Sequence, residues 1–308
     1  MSVSQHSIRR SLTPLTLVGG AALRVRQDGR MTTIAVVGGT GQAGRAVVRE
    51  AMARGHEVRV VSRRRRADLE PGATHRAADL LDDDDARVAG ALDAAFDGAG
   101  TVIDTSNGMT PSAQAVFTAG ARRVADAAGR AGVGRAVVLS IAAVDRSGYG
   151  YYRAHAEQER VYAAGPVPAT VVRATQFHEF LDLFFGRDSR LGAWSRLGLL
   201  PYPRGCRFQT IDLHDVARAL VDAAEGADPL GVAPVTGPSG APTATVGGPQ
   251  VLDAREMAGA WRRAHGSRRL PVAVPLPGAL GGFFRAGRNL VPDAAAGTIT
   301  YDRWLAGR

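Results

Sequence analysis

The chain contains no lysine, so all 38 of its basic residues are arginine. That absence removes every mechanism built on a lysine amine: a Schiff base, a P-loop lysine on phosphate, or a lysine that lowers a neighbour's pKa. Cysteine occurs once, as Cys206, which rules out an intrachain disulfide and a zinc site made of several thiolates. No apolar run approaches the roughly 20 residues that a membrane-spanning helix requires. What is present is an ordinary globular composition, 45% hydrophobic and 22% charged over 308 residues, enough for one large domain or two small ones. The net charge of +9 is unevenly placed. Arg9, Arg10, Arg24, Arg26 and Arg30 face one acid, Asp28, within the first thirty residues, so four of the nine charges lie there and five remain for the rest. With so modest a surplus, and an arginine bias that accompanies high glycine and alanine, no nucleic-acid partner is expected.

Residues 1–30 differ in character from the remainder of the chain. The mildly apolar stretch Leu12–Leu23 is broken by Pro14, Gly19 and Gly20. An Arg-Arg pair ahead of it could mimic an export signal. The competing reading is a disordered extension, or a start codon upstream of the true one at Met31, and it is favoured because a strand begins directly after Met31. The expected domain therefore spans 31–308, in a cytoplasmic protein that does not engage a membrane.

From residue 31 strand-like and helix-like segments alternate. Thr33–Gly38 is a nearly continuous β-branched apolar run, as expected of a strand buried on both faces. Gln42–Arg54 has helical periodicity, Glu57–Val61 is a second strand, and Thr101–Asp104, Arg135–Leu139 and Ala169–Arg173 repeat the strand pattern. Helical stretches are expected over 112–130 and 151–164. This alternation predicts an α/β protein, a Rossmann-like doubly wound parallel sheet. After about residue 176 the alternation loosens into a small C-terminal elaboration expected to hold a small-molecule substrate. Gly186–Arg207 and Gly237–Pro249 read as loops there, Asp215–Ala224 and Asp253–His265 as helices, and Leu270–Val274 as a candidate strand.

The first strand runs into Gly38-Gly39-Thr40-Gly41-Gln42-Ala43-Gly44, which opens the first helix. Glycine is needed where the backbone turns with positive φ and where no Cβ can stand between an amide and a pyrophosphate. A helix N-terminus then offers unpaired N–H groups to the anion. In this strand–turn–helix setting Gly38, Thr40, Gly41, Gln42, Ala43 and Gly44 are candidate cofactor contacts. The second strand ends Ser62-Arg63-Arg64-Arg65-Arg66, with no acid at its tip to take a ribose hydroxyl pair. Arginine grips a 2′-phosphate instead, so NADP(H) is preferred over NAD(H), with Arg63 the main contact and Ser62 a helper. Two or three of the four arginines are read as a solvated basic loop. Asp79 and Leu80, closing a third short strand segment, are placed near the adenine. Asp82–Asp85 reads as a helix start favoured by the dipole, so no metal site is expected.

These residues, together with Val138-Leu-Ser140 and Tyr151-Tyr-Arg-Ala-His155, resemble the atypical short-chain dehydrogenase/reductases, specifically their NmrA-like NAD(P)-binding group. The resemblance spans about residues 33–225. It implies that Ser140 and Tyr151 do proton work, as a serine after the fifth strand and a Tyr-x-x-x-Lys do in relatives with an intact dyad. Here His155 stands where those relatives carry lysine. A tyrosine near pKa 10 exchanges protons poorly at neutral pH without a fixed positive charge beside it. His155, one helical turn beyond Tyr151, would be mostly neutral at pH 7. Two readings stay open: Tyr151 and His155 act chemically, or they only line the cofactor site. Tyr152 replaces Tyr151 if the register slips by one. The resemblance also implies that Ala174, Thr175 and Gln176 pass the nicotinamide. Phe177, His178 and Phe180 are either a wall of the acceptor pocket or plain core, and Trp194, Tyr202 and Phe208 are candidates for a lid. Asp212 reads as a helix cap, and His75 and His265 as surface residues. The function implied is NADPH-dependent hydride transfer to a small electrophilic carbonyl or quinone. The alternative is a non-catalytic NADP(H) sensor that contacts a protein partner, as NmrA-like regulators do.

Overall fold

The computed structural model describes residues 31–108, 112–186, 194 and 196–308, so the expectations for residues 1–30 lie outside the described residues. Eight strands form one sheet. They are β1 (Thr33–Val37), β2 (Glu57–Ser62), β3 (Thr74–Ala77), β4 (Thr101–Asp104), β5 (Arg135–Ile141), β6 (Ala169–Ala174), β9 (Val235–Thr236) and β10 (Pro242–Val246). Their order across the sheet is β3-β2-β1-β4-β5-β6-β10-β9. Every pairing is parallel except that of β10 with β9, at one edge. The order reverses between β1 and β4, which opens a crevice at the carboxyl ends of those strands.

Alternation along the strands separates two cores. Ile34, Val36, Val58, Val60 and Ile103 join residues of α1 (Gln42–Ala53) and of the helix Leu213–Glu225. Ala35, Val37, Val61 and Val102 join α2 (Asp85–Phe96), α4 (Ala121–Arg130) and α5 (Gly150–Ala163). α4 is entered through the single turn α3 (Ala113–Ala115) and a π-helical stretch, Val116–Gly120. Each fully buried Val or Ile contributes about 1.5–3 kcal/mol by leaving water, so both faces must be covered, and the sheet is doubly wound. Arg54 ties α1 to the helix Leu213–Glu225, giving Nη1 to Asp222 at 2.8 Å and to Glu225 at 2.7 Å.

Three features differ from the sequence reading. Pro242–Val246, read as part of a loop, is strand β10, parallel to β6. Its proline sits at the first position, facing only the short antiparallel β9, where a missing N–H costs little. The segment read as a loop over 186–207 contains a strand, β7 (Leu199–Pro203), and ends in the short β8 (Arg207–Phe208), which pairs with β11 (Leu252–Asp253). Leu270–Val274 is indeed a strand, β12, but it pairs with β7 as a separate ribbon. The elaboration also has its own core, where Phe184, Phe185, Phe208, Trp261, Phe284 and Tyr301 collect. Phe180 packs 5.8 Å from Phe184, Phe208 and Phe284, and His178 is fully buried. Phe208 is sealed in this core and cannot serve in a lid. Among the described residues, no helix is long and apolar enough to cross a membrane.

Candidate active site

The turn after β1 uses its three spaced glycines differently. Gly38 adopts φ +72°, a conformation that L side chains rarely take. Gly41 is exposed and precedes α1 with no side-chain cap, so the first amides of the helix are left for another partner. Gly44 is buried, and a Cβ there would stand 2.3 Å from the Gly38 carbonyl oxygen, 2.6 Å from Gly39 Cα and 2.8 Å from Thr105 Oγ1. Only glycine lets α1 pack this close to the strand ends. The loop after β4 closes the other side. Thr105 Oγ1 donates to the Val37 carbonyl at 2.8 Å, and a Cβ on Gly38 would meet the Ser106 backbone at 2.8 Å. Ser106 Oγ is buried here with no partner. Thr40 and Ala43 are half-buried beside this turn, and Gln42 is exposed.

At the tip of β2, Arg63, Arg64 and Arg65 are exposed and make no ion pair among the described residues. Ser62 Oγ donates to the Arg64 carbonyl at 3.0 Å and lies 3.0 Å from His75 Nε2, so His75, read as a partnerless surface residue, has a partner across the β2–β3 ladder. Beside the turn, Asp68 accepts from Arg66 Nε at 2.8 Å and Arg45 Nη1 at 3.3 Å. Gly39, Thr40, Arg45, Arg66 and Asp68 line one depression. Asp79 lies two residues past the end of β3 and accepts from the Leu81 amide at 3.1 Å, while Leu80 packs against Gly120. Asp84 caps α2, as the acidic run suggested, and among the described residues no acidic or histidine cluster could hold a metal.

On α5, Tyr151 and His155 share one face, their rings edge to face at 4.9 Å. Tyr151 Oη donates to Asn107 Oδ1 at 2.9 Å. Burial pushes the Tyr151 phenol up to about 12, against a smaller opposing effect of Asn107. His155 is 6% exposed and lies 3.9 Å from the Phe117 ring. Burial pushes its imidazole down to about 4, so it is neutral at pH 7. Ser140 is committed elsewhere: Oγ donates to Glu159 Oε1 at 2.6 Å. Glu159 also accepts two bonds from Arg173, at 2.9 and 2.7 Å, and Arg173 Nη1 reaches Asp145 at 2.6 Å. Breaking such a buried pair by removing one partner costs about 3–5 kcal/mol. The guanidinium of Arg173 is therefore spent on carboxylates, and the site brings Tyr151 together with Asn107 and His155, with Ser140 in the neighbouring ion-pair network. Tyr152 is turned the other way, accepting from Gln176 Nε2 at 3.3 Å and packing on Phe283.

After β6, Thr175 Oγ1 accepts from the Gly248 amide at 3.1 Å, Ala174 is in register with Val246, and Gln176 Oε1 accepts from Asn289 Nδ2 at 3.4 Å. This segment is buried at the junction of sheet and elaboration. His178 is part of that junction, bonded to Thr210 Oγ1 at 2.7 Å and to the Ile299 carbonyl at 3.1 Å. Asp212 caps its helix, accepting from the His214 amide at 2.7 Å, as expected. The residues that sequence reasoning missed are Asp104, Thr105, Ser106, Asn107 and Gln158. The signal was present: four polar residues in succession at the carboxyl end of an otherwise apolar strand, which is where an open parallel sheet places ligands.

The family model described as the NmrA-like family matches residues 30–244. No curated protein matches the chain. Among solved structures, the Escherichia coli NADPH-dependent quinone oxidoreductase QOR2 complexed with NADPH superposes with a TM-score of 0.67 at 18% identity, covering 89% of this chain and 99% of that one. A short-chain dehydrogenase/reductase superfamily protein from Agrobacterium tumefaciens with bound NAD gives a TM-score of 0.63 at 19% identity, covering 89% and 94%. The triphenylmethane reductase of Citrobacter sp. gives 0.61 at 16%, covering 88% and 92%. At such identities these likenesses establish the Rossmann-like fold.

Proposed function

The chain belongs to the NmrA-like family, and from that premise we propose that it is an NADPH-dependent oxidoreductase that passes hydride to a small electrophilic carbonyl or quinone. The observation that carries the reading is the cradle at the first turn. A Cβ at Gly44 would stand 2.3 Å from backbone, Gly41 leaves the α1 amides uncapped, and Ser106 Oγ lies buried and unpartnered beside them. These residues fit a dinucleotide. The amides of Gln42, Ala43 and Gly44 would take the pyrophosphate, Arg63 a 2′-phosphate, and Ala174, Thr175 and Gln176 the nicotinamide end. Asp68, in the same depression, is already held by Arg45 and Arg66.

When bound, the reduced nicotinamide supplies hydride. The chain's own contribution is positional and protic. Tyr151, its phenol pushed up to about 12, keeps its proton at neutral pH; that one proton rests on Asn107 Oδ1, and Tyr151 donates it to an acceptor only by exchanging that bond. Among the described residues no cation pairs with its phenol, and Arg173 is held by Glu159 and Asp145. That favours acceptors such as quinones, whose reduction does not demand a strong acid in the transition state, over ketones, which do. The solved quinone oxidoreductase and dye reductase of the same fold are consistent with such acceptors.

A second reading is favoured by two observations: Ser140 is committed to Glu159, and a neutral His155 stands at the lysine position. On that reading the protein senses NADP(H) without turnover and contacts a protein partner. NADPH oxidation with a panel of quinones and aldehydes separates the two. Quinones should be reduced, with Tyr151→Phe lowering kcat less than about tenfold, because one neutral hydrogen bond contributes about 0.5–1.5 kcal/mol. Tight NADPH binding with no turnover on any acceptor would establish the sensor.

A further inference from the structure

His155 is held by a chain of bonds that the proposed chemistry does not by itself require. Gln158 Oε1 lies 3.2 Å from His155 Nδ1, and Gln158 Nε2 donates to Asp104 Oδ2 at 3.1 Å. Tyr162 Oη donates to the same oxygen at 2.7 Å, and the Ser106 amide donates to Asp104 Oδ1 at 2.8 Å. Asp104 and Gln158 are fully buried. A carboxylate that gathers three donors is an acceptor, so the amide of Gln158 must turn its NH2 towards it and its oxygen towards the imidazole. That oxygen in turn requires a proton on Nδ1. His155 Nε2 makes no hydrogen bond among the described residues, and it is not one of the partnerless atoms sealed from solvent.

We propose that Asp104 and Gln158 are positioning residues that lock His155 in the neutral Nδ1–H tautomer, so that Nε2 presents a lone pair to a hydroxyl group of a bound ligand. The ligand chemistry is a hydroxyl donor, either a sugar hydroxyl of the coenzyme or the hydroxyl of a reduced quinone. This rests on the proposed dinucleotide reading for the first source only. The surroundings keep the ring uncharged. Phe117 covers one side, Tyr151 is neutral, and the acids on adjoining elements are already engaged: Asp104 on β4 by its three donors, Glu159 on α5 by Arg173 and Ser140, and Asp145 after β5 by Arg173. A lysine in this place would offer only protons, whereas this imidazole offers only an acceptor at Nε2.

The test is the histidine-ring 1H–15N long-range spectrum of the full-length protein, with His155 assigned by the peaks missing from His155→Asn. The expected pattern is a protonated Nδ1 and a bare Nε2, unchanged from pH 8 to 5.5. Adding NADPH should move the Nε2 signal if the coenzyme is the source, and adding a hydroquinone without coenzyme should move it if the product is. Asp104→Asn supplies a second arm. An amide at that place can donate to Gln158 Oε1, which turns Gln158 Nε2 towards His155 Nδ1 and moves the proton to Nε2. The variant should show the inverted pattern and bind the responding ligand at least tenfold more weakly. An Nε2–H ring in the wild-type protein overturns the proposal whatever the variant does. So does an Nε2 signal that neither ligand moves while NADPH binds. If NADPH does not bind at all, but the ring is Nδ1–H and inverts in Asp104→Asn, the positioning role is supported and the dinucleotide reading fails.

Discussion

Replacing Gly44 and Gly41 separately by alanine should divide folding from coenzyme binding at the same turn. At Gly44 the added methyl would lie 2.3 Å from the Gly38 carbonyl oxygen and 2.6 Å from Gly39 Cα. Both obstacles are backbone, so α1 or the turn must move by about an ångström. Overpacking of this kind costs about 1–3 kcal/mol, offset by the roughly 0.5–1 kcal/mol that alanine gains over glycine in a helix. In a domain of this size each kcal/mol shifts Tm by about 2–4 °C, so Gly44→Ala should melt several degrees below the wild type and bind NADPH poorly. At Gly41 the backbone has an ordinary φ of −74°, and the methyl would meet only the Gly38 carbonyl oxygen, at 3.2 Å. Gly41→Ala should therefore melt within about 3 °C of wild type, a glycine-to-alanine change at a cap costing on the order of 1 kcal/mol or less. Its methyl stands on the exposed side of the turn, where phosphate would approach, so NADPH affinity should fall tenfold or more. Differential scanning fluorimetry and calorimetric titration read the two effects. Wild-type NADPH affinity in Gly41→Ala would refute the idea that these amides receive the phosphates, and a wild-type melt in Gly44→Ala would refute the packing role.

Arg63→Ala should weaken NADPH at least tenfold more than NADH in paired titrations, and equal losses would remove the 2′-phosphate assignment. Stability should fall with acidification. His155 is folded neutral with its pKa pushed down to about 4 by burial, so between pH 6.5 and 4 the unfolded chain takes up a proton that the folded chain does not. That lowers stability by up to about 3 kcal/mol at pH 4. His178, likewise pushed down by burial, acts in the same direction. Melts at pH 7.5, 6 and 5 should descend, and His155→Asn should flatten the descent; an unchanged slope would contradict the buried, neutral assignment.

What could be read from sequence was what is local. The β-branched run of β1, the glycine turn and the periodicity of α1 lie within about twenty consecutive residues and specify one another. The same holds for Tyr151 and His155, one helical turn apart. β10 was hidden because a proline opens it and Gly237, Gly240 and Gly247 flank it, while its strand character comes from pairing with β6, some seventy residues earlier. The electrostatics of the site were hidden for the same reason. Ser140 meets Glu159 across 19 residues, and Gln158 meets Asp104 across 54. Nothing in the one-dimensional pattern distinguishes a serine that faces a tyrosine from one that faces a buried carboxylate. Phe177, His178 and Phe180 were ambiguous between pocket wall and core because both demand apolar rings, and the partners that place Phe180 against the core, Phe208 and Phe284, lie far along the chain.

The most direct measurement is calorimetric titration of the purified full-length chain with NADPH and, separately, NADH at fixed ionic strength. The account predicts one molecule bound per chain, with NADPH the tighter of the two. Absence of binding by either nucleotide, from a protein whose thermal melt shows it folded, would contradict it.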